Sequence, residues 1–255
     1  MGMFYNGADC DIYIGKSAGK KLMDDLREAR KSIKIISPYL SPLLIKELIY
    51  SKNKGLDVQL ITVDGIEDYK DPSYKNIYQL IRQHRHIDED ALNKRNKWKK
   101  TAYILLISTL SLIISLILLL IYFKDTRILL GVIPILITLF AYFLYTKSIK
   151  NKRIYHYNYS QLFPFKVYMS PEKHPLSDTF IHGKIYIIDD SIVYLGSLNF
   201  TASGTKHNYE TRIRTTDMEV VKKIKSEFYS LFYHSQIPEI DIQLWGSSLY
   251  KEPIN

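Results

Sequence analysis

His182 and Lys184 open a stretch, His182 to Glu210 (HGKIYIIDDSIVYLGSLNFTASGTKHNYE), dense in groups that bind and attack phosphorus. Asp189 follows Lys184 after four residues, Gly196-Ser197-x-Asn199 after six more, and Glu210 closes the segment. On a strand, residues two apart point to the same face, which pairs His182 with Lys184 and Ser197 with Asn199. An imidazole, an ammonium, a hydroxyl and a carboxamide gathered in one concave site are suited to a tetrahedral anion. In that arrangement Lys184 brings charge, Ser197 and Asn199 bring neutral donors, and His182 is a nucleophile or base. Asp189 is an odd number of residues from His182, so the same rule turns it away and assigns it a structural role, bonding loop amides. Glu210 is then the carboxylate expected to orient the imidazole and support its charged form.

The pattern HxK(x)4D(x)6GSxN, intact from His182 to Asn199 with Gly196 in its place, resembles the signature of the phospholipase D superfamily. The segment GSLNFTASGTKHNYE is similar to short bacterial endonucleases of that superfamily. AGKKLMDDLREARKSIKIISPYLS followed by KGLDVQLITVD resembles their N-terminal half. The resemblance implies a phosphohistidine mechanism. One His attacks phosphorus, a second protonates the leaving oxygen and then activates water, Lys and Asn hold the non-bridging oxygens, and no metal or other cofactor is needed. Such chemistry needs two motifs, and this sequence has one. His84-Arg85-His86 and His174-Pro175 do not repeat it, and His156, His207 and His234 lack a Lys two residues on. The resemblance therefore implies a homodimer that brings two His182 side chains to one phosphate about a two-fold axis.

The elements that must position these residues follow from periodicity. Strands are expected at Asp11 to Gly15, Ser32 to Ser37, Leu56 to Val63, Phe165 to Met169, Lys184 to Ile188, Ile192 to Leu195 and Thr211 to Thr215. Helices are expected near Ala18 to Lys31, Pro42 to Ser51 and Val220 to Tyr233, with a polar helix near Tyr74 to Asn96. This order predicts an α/β fold, a mixed β-sheet flanked by helices as in phospholipase D-like domains. The catalytic domain is expected to be discontinuous, about residues 8–90 plus 155–236, with 237–255 as a peripheral tail. Ser37 and Tyr39, just past a strand end, are candidates to line the site.

The interruption is an uncharged pair of segments, Thr101 to Phe123 and Ile128 to Thr146, joined only by Lys124-Asp125-Thr126-Arg127. Each is close to the ~20 residues that cross a bilayer core, so 101–146 is expected to be a transmembrane helical hairpin. Lys94, Arg95, Lys97, Lys99 and Lys100 precede it, and Lys147, Lys150, Lys152 and Arg153 follow. The positive-inside rule then places both flanks, and the catalytic domain, on the cytoplasmic side of a two-span cell-membrane protein.

A formal net charge of +9 points to anionic partners, either nucleic acid or an anionic phospholipid such as cardiolipin. The lone Cys10 excludes an internal disulfide framework and offers no zinc site. The N-terminus is too polar for a secretory signal, and Asn6 occupies the position where myristoylation wants Ser or Thr. Three functions compete at this point. A membrane-anchored nuclease acting on DNA or RNA leads, followed by a phospholipase and by a catalytically silent scaffold.

Overall fold

The computed structural model describes residues 7–68, 79–175 and 177–255. These fall into two compact units, one from the described residues of Met1–Gln83 and Tyr159–Tyr250, the other from His84–Asn158 and Lys251–Asn255.

The first unit is built on a seven-stranded mixed sheet. In chain order it comprises β1 (Asp11–Lys16), α1 (Lys20–Glu28), β2 (Ser32–Ile36), α2 (Pro42–Asn53) and β3 (Asp57–Val63). β4 (Ile81–Ile87) leads out of it into the second unit, which holds α3 (Glu89–Phe123) and α4 (Val132–Asn151). β5 (Tyr155–Gln161) leads back, followed by β6 (Phe165–Tyr168), β7 (Ile185–Ile188), β8 (Ile192–Gly196), α5 (Ala202–Lys206), β9 (Tyr209–Thr215), α6 (Met218–Phe232) and α7 (Ile242–Leu249). The sheet order is β1-β9-β8-β7-β2-β3-β6, while β4 and β5 pair separately. β2, β3 and β6 run parallel, and β7, β8, β9 and β1 continue from β2 antiparallel.

Burial explains why helices cover both faces. Every residue of β2 and all but the first of β3 are buried, so these central strands read as continuous apolar runs. Ile36, Ile61, Val63, Ile187 and Val193 meet the apolar stripe of α6, formed by Val220, Val221, Ile224, Phe228 and Phe232. Ile33, of opposite parity to Ile36, instead shares a cavity wall with Leu26 of α1 and Leu48 of α2. Ser41 caps α2, accepting the Leu44 amide ahead of Pro42 at the first helical turn.

Two expectations need correction. Within 74–96, residues 81–87 form strand β4 and the helix starts at Glu89, behind an Asp88 cap that accepts the Ala91 amide at 2.9 Å. IRQHRHI is mostly polar and carries no apolar alternation, and its strand form is set by pairing with β5. Residues 74–78 of that expected helix lie outside the described residues. The stretch 237–255 is also not a peripheral tail. Trp245 on α7 is 3% exposed and meets Phe165 edge-on at 6.2 Å. The Gln243 amide both accepts from the Tyr159 N–H (2.9 Å) and donates to its carbonyl (2.8 Å), imitating a strand neighbour. The last residues belong to the second unit, where Ile154 N–H donates to the Ile254 carbonyl at 2.7 Å.

In the second unit α3 runs 35 residues and the helical stretch Thr126–Asn151 runs 26, with mean hydropathies of 3.0 and 2.4 in their most apolar windows. Both are long and apolar enough to cross a membrane. Their apolar side chains face outward, Ile104, Leu118 and Phe140 all being more than 60% exposed. A core helix of a water-soluble fold would bury that surface. Lys124, in the left-handed conformation, ends α3, and Asp125 caps the turn that follows. The Thr109 hydroxyl donates to Thr138 at 2.9 Å, a polar link between two otherwise apolar helices.

Candidate active site

The site gathers at one end of the sheet, where β7 begins, β8 ends and β9 starts. His182 precedes β7 and is exposed. Lys184 is only 8% exposed, and its Nζ donates to the His182 carbonyl at 2.8 Å. The same Nζ lies 3.0 and 3.1 Å from the two ring nitrogens. In-plane lone pairs of both nitrogens cannot point to one place, so the ammonium sits across the imidazole. Burial pushes the Lys184 pKa below its ordinary value, and the nearby charge of Glu210 pulls partly the other way.

Gly196 makes the bend that releases Ser197 and Asn199 from β8. Its φ is +152°, and a Cβ there would stand 2.1 Å from the Thr211 carbonyl oxygen. Beyond it, the loop is fixed from beneath. Tyr186 donates its hydroxyl to the Leu198 carbonyl at 2.7 Å, and the Ser37 hydroxyl accepts the Phe200 amide at 3.0 Å. Asn199 is partly buried, and its Oδ1 is closed off from solvent with no donor among the described residues. An unpaired amide oxygen of that kind costs roughly 1–3 kcal/mol. Natural folds retain such groups mostly at sites with another use for them.

Ser197 and Glu210 depart from their expected parts. Ser197 was expected to donate to a bound phosphate. Its single proton instead goes to the Glu210 carboxylate, while its oxygen accepts the Thr211 amide at 3.0 Å. Glu210, 9% exposed, also accepts from the Asn208 side chain at 3.2 Å. Among the described residues it makes no hydrogen bond to His182, because β9 places it behind Ser197 rather than behind the imidazole.

Asp189 lies at the far end of β7 from His182, in the three-residue turn to β8. There it accepts the backbone amides of Arg30, Lys31 and Ser32 at 2.7 to 3.1 Å. Burial disfavours its charge, but the amides of Arg30, Ser32 and Lys31 outweigh this and hold its pKa below the ordinary value. Asp190 beside it binds the buried Lys34 (2.8 Å) and Lys225 of α6 (2.5 Å). This end of the hairpin is a structural clamp that keeps α1, β2 and α6 in place.

Ser37 is fully buried and donates to the Tyr39 carbonyl at 2.8 Å, so it supports the site from below and does not line it. Tyr39 is 49% exposed and does open into the neighbouring cavity. Phe180 is a residue that motif reading overlooks. Its ring lies 5.6 Å from that of His182, and its position two residues earlier continues the alternation of His182 and Lys184.

The family described as cardiolipin synthase, PLD-like domain, matches residues 135–232, a span that holds all of His182 to Glu210. That segment is thus similar to phospholipase D-like domains, in agreement with the resemblance carried by the motif. The fold is the mixed sheet flanked by helices expected from the sequence, and the family match begins inside α4, the second apolar helix.

Among curated relatives, the mitochondrial cardiolipin hydrolase of Xenopus tropicalis is 33% identical over 73 residues, which is 29% of this chain and 35% of that protein. Its counterpart from Xenopus laevis is 32% identical over the same length. The aligned stretch thus spans about a third of either relative (35%). Among solved structures, the phospholipase D family member Nuc from Salmonella typhimurium superposes with a TM-score of 0.45 at 13% identity, covering 91% of this chain and 99% of Nuc. NucT from Helicobacter pylori gives 0.44 at 15%, covering 92% of this chain and all of NucT (100%).

Proposed function

We propose that this chain is a membrane-anchored, metal-independent phosphodiesterase, and that its substrate is DNA or RNA. The observation that carries the reading is the buried Lys184 ammonium held across the exposed His182 ring. The Lys184 ammonium and the Asn199 side-chain N–H donate to the non-bridging oxygens. A His182 nitrogen forms a bond to phosphorus as the bond to the leaving oxygen breaks, and an imidazolium donates the proton that oxygen needs. Water, deprotonated by the same group, then displaces the phosphoryl group from His182. Ser197 and Glu210 act on this site by position, the hydroxyl locking the carboxylate near Lys184.

One imidazole cannot be bonded to phosphorus and serve as the acid at once, so two chains are required. A symmetric homodimer brings a second His182 to the phosphate. Anchoring in the cell membrane is supported by the two long apolar helices, and a cytoplasmic catalytic domain by the basic residues on both flanks. A C-terminal tag reached by reagent only after the cytoplasmic face is opened supports that orientation, whereas labelling from outside rules it out.

The nucleic-acid reading is supported by the surplus of basic residues, since phosphate contacts supply most non-specific affinity, and by the resemblance of Gly196 to Glu210 to short endonucleases. The alternative is hydrolysis of an anionic phospholipid, favoured by the activity named for the Xenopus relatives and by the two apolar helices. Purified protein and its His182→Ala variant, offered single- and double-stranded nucleic acid and labelled cardiolipin vesicles with chelator present, separate the two. Nucleic-acid cleavage that the variant lacks is the expected result. Release from lipid alone establishes the alternative, and no hydrolysis of either leaves a scaffold.

A further inference from the structure

Beside His182 lies a cavity of about 440 Å³ lined by Tyr39, Val63, Asp64, Gly65, Ser170 to Lys173 and Phe180. Its walls are firmly built. The Asp64 carboxylate, 4% exposed, accepts both the amide and the hydroxyl of Ser170 at 3.1 Å. The Ser37 hydroxyl holds the backbone of Tyr39, and the Ser177 hydroxyl ties the Met169 carbonyl at 2.9 Å. Two aromatic rings nevertheless remain open to solvent, Tyr39 at 49% and Phe180 at 41% exposure. Exposed rings on a rigid wall offer apolar, polarisable faces to a ligand.

The chemistry of the lining narrows the occupant. Asp64 and Glu172 bring two negative charges against the one positive charge of Lys173, so the cavity has no positive surplus to attract a second phosphate next to the one held by Lys184. Among the described residues Val63 and Pro171 are its aliphatic side chains, which gives an acyl chain little to bury against. A flat, uncharged group with both donors and acceptors on its edge fits instead. Because Phe180 is 5.6 Å from His182, the occupant is part of the residue that carries the attacked phosphate.

We propose that this cavity is a nucleobase subsite, in which Tyr39 and Phe180 stack a base of single-stranded nucleic acid adjoining the scissile phosphate. The proposal rests on the nuclease reading above. Bases inside a duplex have both faces covered, so the subsite makes the enzyme selective for single strands and tolerant of sequence.

The test compares full-length protein on a single-stranded oligonucleotide and on the same strand built of abasic units. The wild type is expected to favour the base-bearing strand in kcat/KM by about 10- to 100-fold, the range that base–aromatic stacking gives. Tyr39→Ala and Phe180→Ala move that ratio toward one, and Phe180→Trp restores it. Melting temperatures check that the variants fold. Equal cleavage of both strands by the wild type, or an unchanged ratio in the alanine variants, overturns the subsite while leaving a nuclease. If neither strand is cleaved and cardiolipin vesicles are, the nuclease reading itself fails and the subsite with it.

Discussion

Lys184 has to be charged to hold a phosphate, yet the fold buries it, and burial lowers its pKa. The alkaline limb of kcat/KM, which reports the free enzyme, is therefore expected below the ordinary lysine value of 10.5. An alkaline limb at or above that value would show that the buried ammonium is not the group being lost. The sign for stability runs the other way. Between the lowered folded value and the ordinary one, the unfolded chain binds more protons, so this group's contribution to stability improves as pH rises. Lys184→Met is accordingly expected to raise the melting temperature while abolishing turnover, the usual trade at a functional site. Asp189 shows the opposite sign. Its depressed pKa gives stability that is present above the unfolded carboxylate value and lost as pH falls through the folded one. Asp189→Asn should cost about 1–3 kcal/mol at neutral pH and flatten the acid side of the stability curve. A substitution without effect on urea midpoints would mean that the three amides of Arg30 to Ser32 find equivalent partners in water.

At the scale of elements, the site depends on where β8 stops. Gly196 takes a backbone conformation that side chains resist and packs against Thr211 of β9, so Gly196→Ala is expected to destabilise by about 2–4 kcal/mol and to displace Ser197 and Asn199 together. Retained activity at wild-type levels would show that the bend is not needed. The strands around this point were legible in the sequence because β2, β3, β7 and β8 are short apolar runs bounded by turns, and α6 shows a clear helical stripe. β4 and β5 were not. Their residues, IRQHRHI and YHYNYSQ, are polar on most positions, and their partner is set by pairing across the inserted helices rather than by local pattern. Asp189 lies past the end of β7, where strand parity does not apply, and it is the turn that aims its carboxylate at the amides of Arg30 to Ser32. Parity gave the wrong partner for Ser197, because a face shared along one strand says nothing about Glu210 arriving on the next. Phe180 carried only its spacing as a signal, with no motif to draw attention to it.

For the whole molecule, the decisive quantity is how many chains make one site. Each chain supplies one His182, and among the described residues Glu210 is committed to Ser197 and Asn208, so on the proposed mechanism the second imidazole comes from a second copy of the chain. Co-expression of wild type with His182→Ala in equal amounts tests the consequence. If each chain worked alone, activity would fall in proportion to the wild-type fraction, to about half. If two imidazoles meet at one phosphate, only dimers with two wild-type chains turn over at the full rate, and random pairing leaves about a quarter. Loss of the acid from a mixed dimer is worth about 10²–10⁴-fold, so such dimers add nothing measurable. On the membrane-anchored reading proposed above, copies meet in two dimensions, and dilution in detergent should lower specific activity as dimers separate. Activity that tracks the wild-type fraction linearly and ignores dilution would require an acid from within the same chain, and would return attention to the other histidines.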